Sequence, residues 1–412
     1  MTEFFSPRPH RAFSKGFYKS DDFDYEVRGL LGAASHGNTD AGEVLATIDG
    51  VAEGDHEHWF QAWHDTGSRV RALADDAAKA GDSVSASAAY LRASTYFGVA
   101  VNAVSGLESD DLLVPTFRLQ RSSWEGFVDT TDRVVERVEI PYEGDTMPGW
   151  FFRPSPESAT RRTLVMVNGS DGATSGLWNT GAAGALARGY NVLIFDGPGQ
   201  QSLLFERGIG FRPDWEAVLT PVVDFLLQRA DVDGDRLALY GISQGGYWIA
   251  RALAYEHRFA AAIADPGVVD VAASWNKNLP SSLLKLFREG KKDAFDRDMA
   301  LGMKFSRATA RTWKFRARPY AKDSYFDTLT EVHRYTLTDD EATRITTPLF
   351  LADPEDEQFW PGQSEELAAG VSGPTELSRF TAAEGANFHC QPMARQLTDA
   401  RMFGWLGTVL PR

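Results

Sequence analysis

Arg236-Leu237-Ala238-Leu239-Tyr240-Gly241-Ile242-Ser243-Gln244-Gly245-Gly246 is the stretch that decides the fold. An apolar run of strand length leads into Gly-x-Ser-x-Gly, and helix-like sequence starts at Gly246. A serine on so sharp a strand-to-helix turn sits in a strained backbone conformation, and bulky neighbours would collide with it. The glycines two before and two after Ser243 remove that clash. The turn lifts the hydroxyl to the top of a sheet and aims the first N–H groups of the next helix at the same point. The pentapeptide alone is a weak signal, because small residues also cluster in loops. Its weight comes from the partners found downstream in the chain.

A nucleophilic serine on this turn calls for an acid past a later strand and then a histidine near the C-terminus. Thr347-Pro348-Leu349-Phe350-Leu351-Ala352 reads as a short buried strand running into Asp353-Pro354-Glu355-Asp356-Glu357-Gln358-Phe359-Trp360-Pro361. Asp356 stands where a turn just past the strand would aim a carboxylate at the histidine, so it is the expected acid. Asp353 and Glu355 are the alternatives, and Glu357 reads as part of a solvated acidic loop. Of eight histidines only His389 lies beyond this loop, in Glu384-Gly385-Ala386-Asn387-Phe388-His389-Cys390. A lone histidine is more often structural, but order and location make His389 the expected base. The oxyanion donors expected are the backbone N–H of Gln244 and that of Ser170, which comes after the apolar run Thr163–Val167 and Asn168-Gly169.

The chain has 412 residues, more than one average domain needs, with 42 basic and 57 acidic side chains and a net charge of −15. That balance argues against nucleic acid or an anionic membrane surface as partner. A single cysteine excludes an internal disulfide framework. No continuous apolar stretch marks Met1 to Tyr18 as a signal peptide, and no segment reads as a membrane span, so a cytoplasmic protein is expected. His56, His58 and His64 come without a ligand set and read as a polar helix entry, so neither metal nor cofactor is expected.

Residues 1–130 read as a helical N-terminal domain, with apolar residues at helical spacing in Gly42–Ile48, His58–Ala80 and Ser83–Val104. Val134–Pro141 and Met147–Pro154 alternate as the two arms of a hairpin around Glu143-Gly144-Asp145. Strands at 191–195, 236–240 and 259–264 then alternate with helices such as 214–229, the rhythm of a mostly parallel, doubly wound α/β sheet over 131–412. Between about 270 and 346 the rhythm breaks into helical pieces expected to form a lid insertion over Ser243. Trp178, Trp275, Phe359, Trp360 and Phe388 lie near the motifs and are candidates for an aromatic wall, although core packing is the commoner fate of each. The helical N-terminal part is the segment open to a homodimer interface.

Four segments carry a resemblance: Phe195-Asp196-Gly197-Pro198-Gly199-Gln200, Gly241–Gly246, Ile263-Ala264-Asp265-Pro266-Gly267 and Glu384–Cys390. They resemble the α/β-hydrolase branch containing 2,6-dihydroxypseudooxynicotine hydrolase and the fungal pigment polyketide-shortening hydrolases, over roughly residues 130–412. The resemblance implies a triad of Ser243, Asp356 and His389, an acid a few residues before a proline being the branch's pattern. It also implies a helical N-terminal domain that helps close the site. The implied reaction is hydrolysis of a carbon–carbon bond next to a ketone, in a β-diketone or acyl-aryl substrate, through an acyl-enzyme. The same serine site would serve a carboxylesterase, or a lyase or cyclase acting on a polyketide-like substrate, so the small molecule expected is a ketone or an ester. A non-catalytic ligand-binding fold would have no need to keep the serine, acid and histidine together.

Overall fold

The computed structural model describes residues 15–157 and 159–411. Residues 1–14, which carry most of the segment read for a leader, lie outside the described residues. Among the described residues five α-helices precede the sheet: α1 (Asp21–Ala33), α2 (Ala41–Ile48), α3 (His56–Lys79), α4 (Ser83–Ala103) and α5 (Leu113–Thr130). Aspartates start three of them. Asp40, Asp55 and Asp82 accept from backbone N–H groups in the first turns of α2, α3 and α4, satisfying donors that no intrahelical carbonyl can reach. Along α3 the buried residues Trp59, Trp63, Thr66, Val70 and Ala74 recur every three or four positions, so one face of the helix is apolar. That face joins Tyr96, Phe97 and Phe117 in a core of its own, with Phe23 stacked on Trp59 at 4.0 Å.

Eight strands come next: β1 (Val134–Tyr142), β2 (Asp145–Arg153), β3 (Arg161–Val167), β4 (Asn191–Phe195), β5 (Val232–Ile242), β6 (Ala261–Asp265), β7 (Leu349–Pro354) and β8 (Thr375–Phe380). They form one sheet in the order β1-β2-β4-β3-β5-β6-β7-β8, with only β2 running against the others. The hairpin pairs Val134 with Arg153 and Tyr142 with Asp145, around the expected turn. Side-chain alternation splits each central strand between two cores. Val165, Val167, Leu193, Leu237 and Leu239 face the layer of α6 (Glu216–Leu227) and α7 (Gly245–Leu253). Leu164, Met166, Val192, Ile194 and Tyr240 face the other core, which includes Trp124 of α5 and Met402 and Phe403 of the C-terminal helix. Burial on both faces explains why these strands read as continuous apolar runs.

Between β6 and β7 lie α8 (Ser281–Arg288), α9 (Lys292–Phe305), α10 (Arg307–Ala317) and α11 (Tyr325–Val332). This helical segment meets the N-terminal helices at Asp110, which receives Lys314 at 2.9 Å and Arg318 at 3.0 Å. The chain ends in α12 (Arg395–Val409). Among the described residues no helix is long and apolar enough to cross a membrane.

Helix α1 docks on the turn just past His389. A Cβ built on Gly32 would lie 1.8 Å from the carbonyl oxygen of Pro392, so only glycine allows this approach. Arg28 lies over the Phe388 ring at 5.2 Å, and His36 sits 3.1 Å from Asp399. Gly32→Ala should push α1 off the turn and cost about 1–3 kcal/mol, the usual range for overpacking. The measurement is urea unfolding: the midpoint should fall while the slope stays the same. An unchanged midpoint would mean that α1 is not held where the contact places it.

Candidate active site

Ser243 has φ 56°, in the left-handed region, at the junction of β5 and α7. Its N–H donates to the Asp265 carbonyl on the neighbouring strand end at 2.7 Å. A Cβ on Gly241 would stand 2.4 Å from the Gly245 oxygen, and one on Gly245 would stand 3.0 Å from the carbonyls of Val167 and Asn168. Gly241 is therefore required by contact and Gly245 is closely fitted, in agreement with the reading of the pentapeptide.

His389 Nε2 lies 2.9 Å from Ser243 Oγ, and Nδ1 lies 2.8 Å from Oε2 of Glu357. A carboxylate only accepts, so Nδ1 carries a proton, and in the neutral ring Nε2 is left as the acceptor for the serine hydroxyl. The structure thus brings Ser243 and His389 together and corrects the expected acid. Asp356 is exposed, and its Oδ2 accepts from the Asn387 side chain at 2.6 Å rather than from His389. Asp353 is paired with Arg379, and Glu355 accepts from the Ala382 N–H at 2.7 Å. Glu357, read from sequence as solvated, is 9% exposed.

The reason is local. Beyond β7 the chain turns at Glu355 and then forms a single bridge between Asp356 and Phe388, where adjacent side chains point to opposite sides. Asp356 takes the outer side and Glu357 the inner one. Oε1 of Glu357 also accepts from the N–H groups of Phe359 at 2.9 Å and Trp360 at 3.3 Å. The signal that could have found it was the aromatic pair itself: the rings of Phe359 and Trp360 stand 4.8 and 5.6 Å from the imidazole. Glu357 stands two residues before that wall and faces the same imidazole.

Burial opposes ionisation of Glu357, but His389 and the two backbone N–H groups outweigh it and hold the carboxyl below its ordinary pKa. For His389, burial works against the cation, while Cys390 and Glu357 work for it, and the net direction is upward. The Cys390 thiol is itself pushed up to about 11 by burial and is therefore neutral near pH 7, so Glu357 is the partner that stabilises the imidazolium there.

The loop after β3 lies against the nucleophile: a Cβ on Gly169 would be 3.0 Å from Ser243 Cβ. Gln200 braces this loop by donating to the Asn168 carbonyl at 3.0 Å, while its Oε1 accepts from the Gly197 N–H at 3.1 Å. The Asp-Gly-Pro-Gly-Gln segment thus supports the Ser170 backbone, and its buried Asp196 pairs with Arg121 of α5. Among the described residues, neither the Gln244 nor the Ser170 N–H donates to a protein acceptor.

Sequence reasoning missed the contribution of α1. The Tyr25 hydroxyl donates to the His389 carbonyl at 2.8 Å. Next to it, burial raises the Glu26 carboxyl to about 7, with Asp171 and Asp22 adding to the effect. No local pattern announces a contact made across more than 360 positions. Of the aromatic candidates, Phe359 and Trp360 line the histidine, and Trp275 lies beneath the Arg316 guanidinium at 4.8 Å. Phe388 packs under Arg28, whereas Trp178 is core, against Phe127 and Phe152.

The sequence profile of the alpha/beta hydrolase family matches residues 164–393. Hydrolase LUC6 of Fusarium sp is 31% identical over 94% of this chain and 96% of its own length. The 20-hydroxy-prefusarin hydrolase FUS2 of Gibberella moniliformis is 34% identical over 64% of this chain and 65% of that protein. Among solved structures, 2,6-dihydroxy-pseudo-oxynicotine hydrolase superposes with a TM-score of 0.72 at 18% identity, covering 92% of this chain and 95% of that one. At that identity the likeness is one of fold.

Glu357→Gln should lower the pKa of His389, because the charge that favours the imidazolium is removed while the burial remains. Asp356→Asn should leave it in place. Proton NMR titration of the imidazole resonances distinguishes the two. A larger shift in Asp356→Asn would contradict the assigned pairing.

Proposed function

We propose that this chain, which belongs to the α/β hydrolase family, is a serine hydrolase that cleaves a carbon–carbon bond next to a ketone in a polyketide-like substrate. The observation that carries the reading is the continuous line Ser243 Oγ–His389–Glu357, with contacts of 2.9 and 2.8 Å. In this reading Ser243 attacks the carbonyl carbon as its proton passes to Nε2 of His389. Glu357 holds the tautomer and stabilises the resulting cation without taking the proton. The N–H groups of Gln244 and Ser170 receive the developing oxyanion, each such donor contributing about 3–4 kcal/mol.

The tetrahedral carbon then expels its neighbour. The bonding pair leaves with the departing carbon, spreads as an enolate onto the adjacent carbonyl, and takes the proton from His389. Water, deprotonated by the neutral His389, releases the acyl group from Ser243. An alcohol leaves readily from such a site, whereas a carbanion needs this delocalisation and shelter from water. The choice of carbon–carbon cleavage is supported by the resemblance of the Asp196–Gln200 and Glu384–Cys390 segments, while the names of the fungal relatives support hydrolysis. The way α1, Phe359 and Trp360 close on His389 supports it as well.

The test offers the purified chain an aryl β-diketone and a matched aryl ester and identifies the products by mass. The expected result is hydrolytic cleavage of the diketone into an acid and a ketone, abolished in Ser243→Ala. Glu357→Gln should lower turnover by about 10⁴, as loss of the orienting acid does in serine proteases, with Asp356→Asn close to wild type. Turnover by Ser243→Ala would sink the serine mechanism; cleavage of the ester alone would make the enzyme a carboxylesterase. A chain that neither cleaves nor labels with a fluorophosphonate would be a ligand-binding hydrolase fold.

The pH profile gives a further expectation. The base works only when neutral, and His389 holds its proton more tightly than an ordinary histidine. The acid limb of kcat/KM should therefore have its midpoint above about 6.5, the ordinary value, and move down in Glu357→Gln. A wild-type midpoint below the ordinary value would contradict the role given to Glu357.

A further inference from the structure

Arg395 opens α12 and is 2% exposed. Its Nη1 donates to Asp265 Oδ2 at 3.0 Å and to the Cys390 carbonyl at 2.7 Å. Its Nη2 donates to the Thr180 carbonyl at 2.7 Å and to the Tyr240 hydroxyl at 3.2 Å. Tyr240 in turn donates to Asp265 Oδ2 at 3.0 Å. A guanidinium presents several donors in a fixed fork, so these acceptors are held in one mutual geometry.

Both ends of this cluster lead to the reacting atoms. The Asp265 carbonyl accepts the Ser243 N–H at 2.7 Å, on the residue whose carboxylate Arg395 holds. Cys390 comes directly after His389, and Cys390 and Gln391 both have left-handed backbones, with φ 56° and 44°. Two consecutive non-glycine residues in that region persist only where the surroundings over-determine them. Arg395 supplies that constraint at the Cys390 carbonyl, and Thr398 adds to it by donating to Gln391 Oε1 at 3.1 Å.

We infer that Arg395, through Asp265 on one side and the Cys390 carbonyl on the other, is a positioning residue that sets the distance between Ser243 Oγ and His389 Nε2. It touches neither. Its effect is on the alignment of nucleophile and base, so it should appear in turnover and not in substrate binding. In its catalytic readout the inference rests on the serine-hydrolase reading above.

The test uses the full chain carrying Arg395→Lys, which keeps the charge but loses the fork, beside Tyr240→Phe, which removes the two hydrogen bonds of the Tyr240 hydroxyl, one to Asp265 and one from Arg395. Aryl-ester turnover and fluorophosphonate labelling are expressed per folded molecule, the folded fraction being taken from near-ultraviolet circular dichroism. Arg395→Lys should lower kcat and the labelling rate by about tenfold to a hundredfold, the scale of an ångström misplacement. KM should stay within about twofold, as expected for an interaction that is not part of ground-state binding. Tyr240→Phe should show the same split with a smaller fall.

Wild-type kcat and labelling per folded molecule in both variants would overturn the inference, as would a loss of activity that tracks the folded fraction alone. If the wild-type chain itself fails to label, the serine-hydrolase reading falls separately. A crystal structure of Arg395→Lys, or of Tyr240→Phe where the lysine variant does not fold, then decides. His389 Nε2 displaced beyond hydrogen-bond reach of Ser243 Oγ, roughly 3.2 Å, supports the role. An undisturbed contact overturns it.

Discussion

A single backbone torsion organises this molecule. Ser243 must hold φ 56°, which a residue with a side chain does not choose, at a cost of about 1–3 kcal/mol. The surroundings have to impose it. β5 delivers the serine from the middle of the sheet, where Leu237 and Leu239 on one face and Ala238 and Tyr240 on the other are fully buried, so the strand end cannot shift. α7 begins at once, its first turn backing onto the β3 loop through the missing side chain of Gly245. The Asp265 carbonyl at the end of β6 then takes the Ser243 N–H. The two-faced sheet is the support for one half-buried hydroxyl.

The histidine reaches that hydroxyl from the far end of the sheet, on a turn that is itself strained at Cys390 and Gln391, and it is held from above as well as below. Tyr25 and Gly32 of α1 fix the top of the turn, while helix α5 is tied to the Asp196 loop through Arg121 and the β6–β7 segment is tied to Asp110. Partly exposed ion pairs such as Lys314–Asp110 contribute little to stability, but they select one placement of each helix among several that would bury similar area. Enclosure by these helices also lowers the local dielectric. The same Glu357 carboxylate then favours the imidazolium more strongly than it would in water.

Much of this was legible in the sequence because it is periodic or obligatory. The alternation in Val134–Pro141 and its partner arm gave a hairpin, and the apolar runs gave the parallel strands. Gly241 and Gly245 announced the turn because a side chain at either position meets backbone. His389 was identified by its order in the chain. The identity of the acid was not legible, since four carboxylates in five positions differ only in how the turn after β7 directs each of them. That is set by where β7 ends and by the bridge between Asp356 and Phe388, a contact across more than 30 positions. Likewise, nothing in Asp21–Ala33 reveals that Tyr25 will meet the carbonyl of His389, because a helix that packs on a distant turn carries the same amphipathic pattern as one that packs on its neighbour.

The use of a glutamate, and of one so far along the loop, has a physical logic. The strand-end position is taken: Asp353 is buried and committed to Arg379 on β8, so it cannot serve the histidine as well. The loop must run on before a side chain again faces inward, and at Glu357 the carboxylate has to reach back toward Nδ1. A glutamate has the extra methylene for that reach, but it also has one more rotatable bond, and holding it in one rotamer costs conformational entropy. The N–H groups of Phe359 and Trp360 offset that cost by fixing Oε1, which leaves Oε2 directed at the imidazole. The aromatic side chains of the same two residues cover the ring that the carboxylate orients. Positioning the acid and shielding the base are thus accomplished by one four-residue turn, Glu357–Trp360, and the polar and apolar halves of that turn depend on each other.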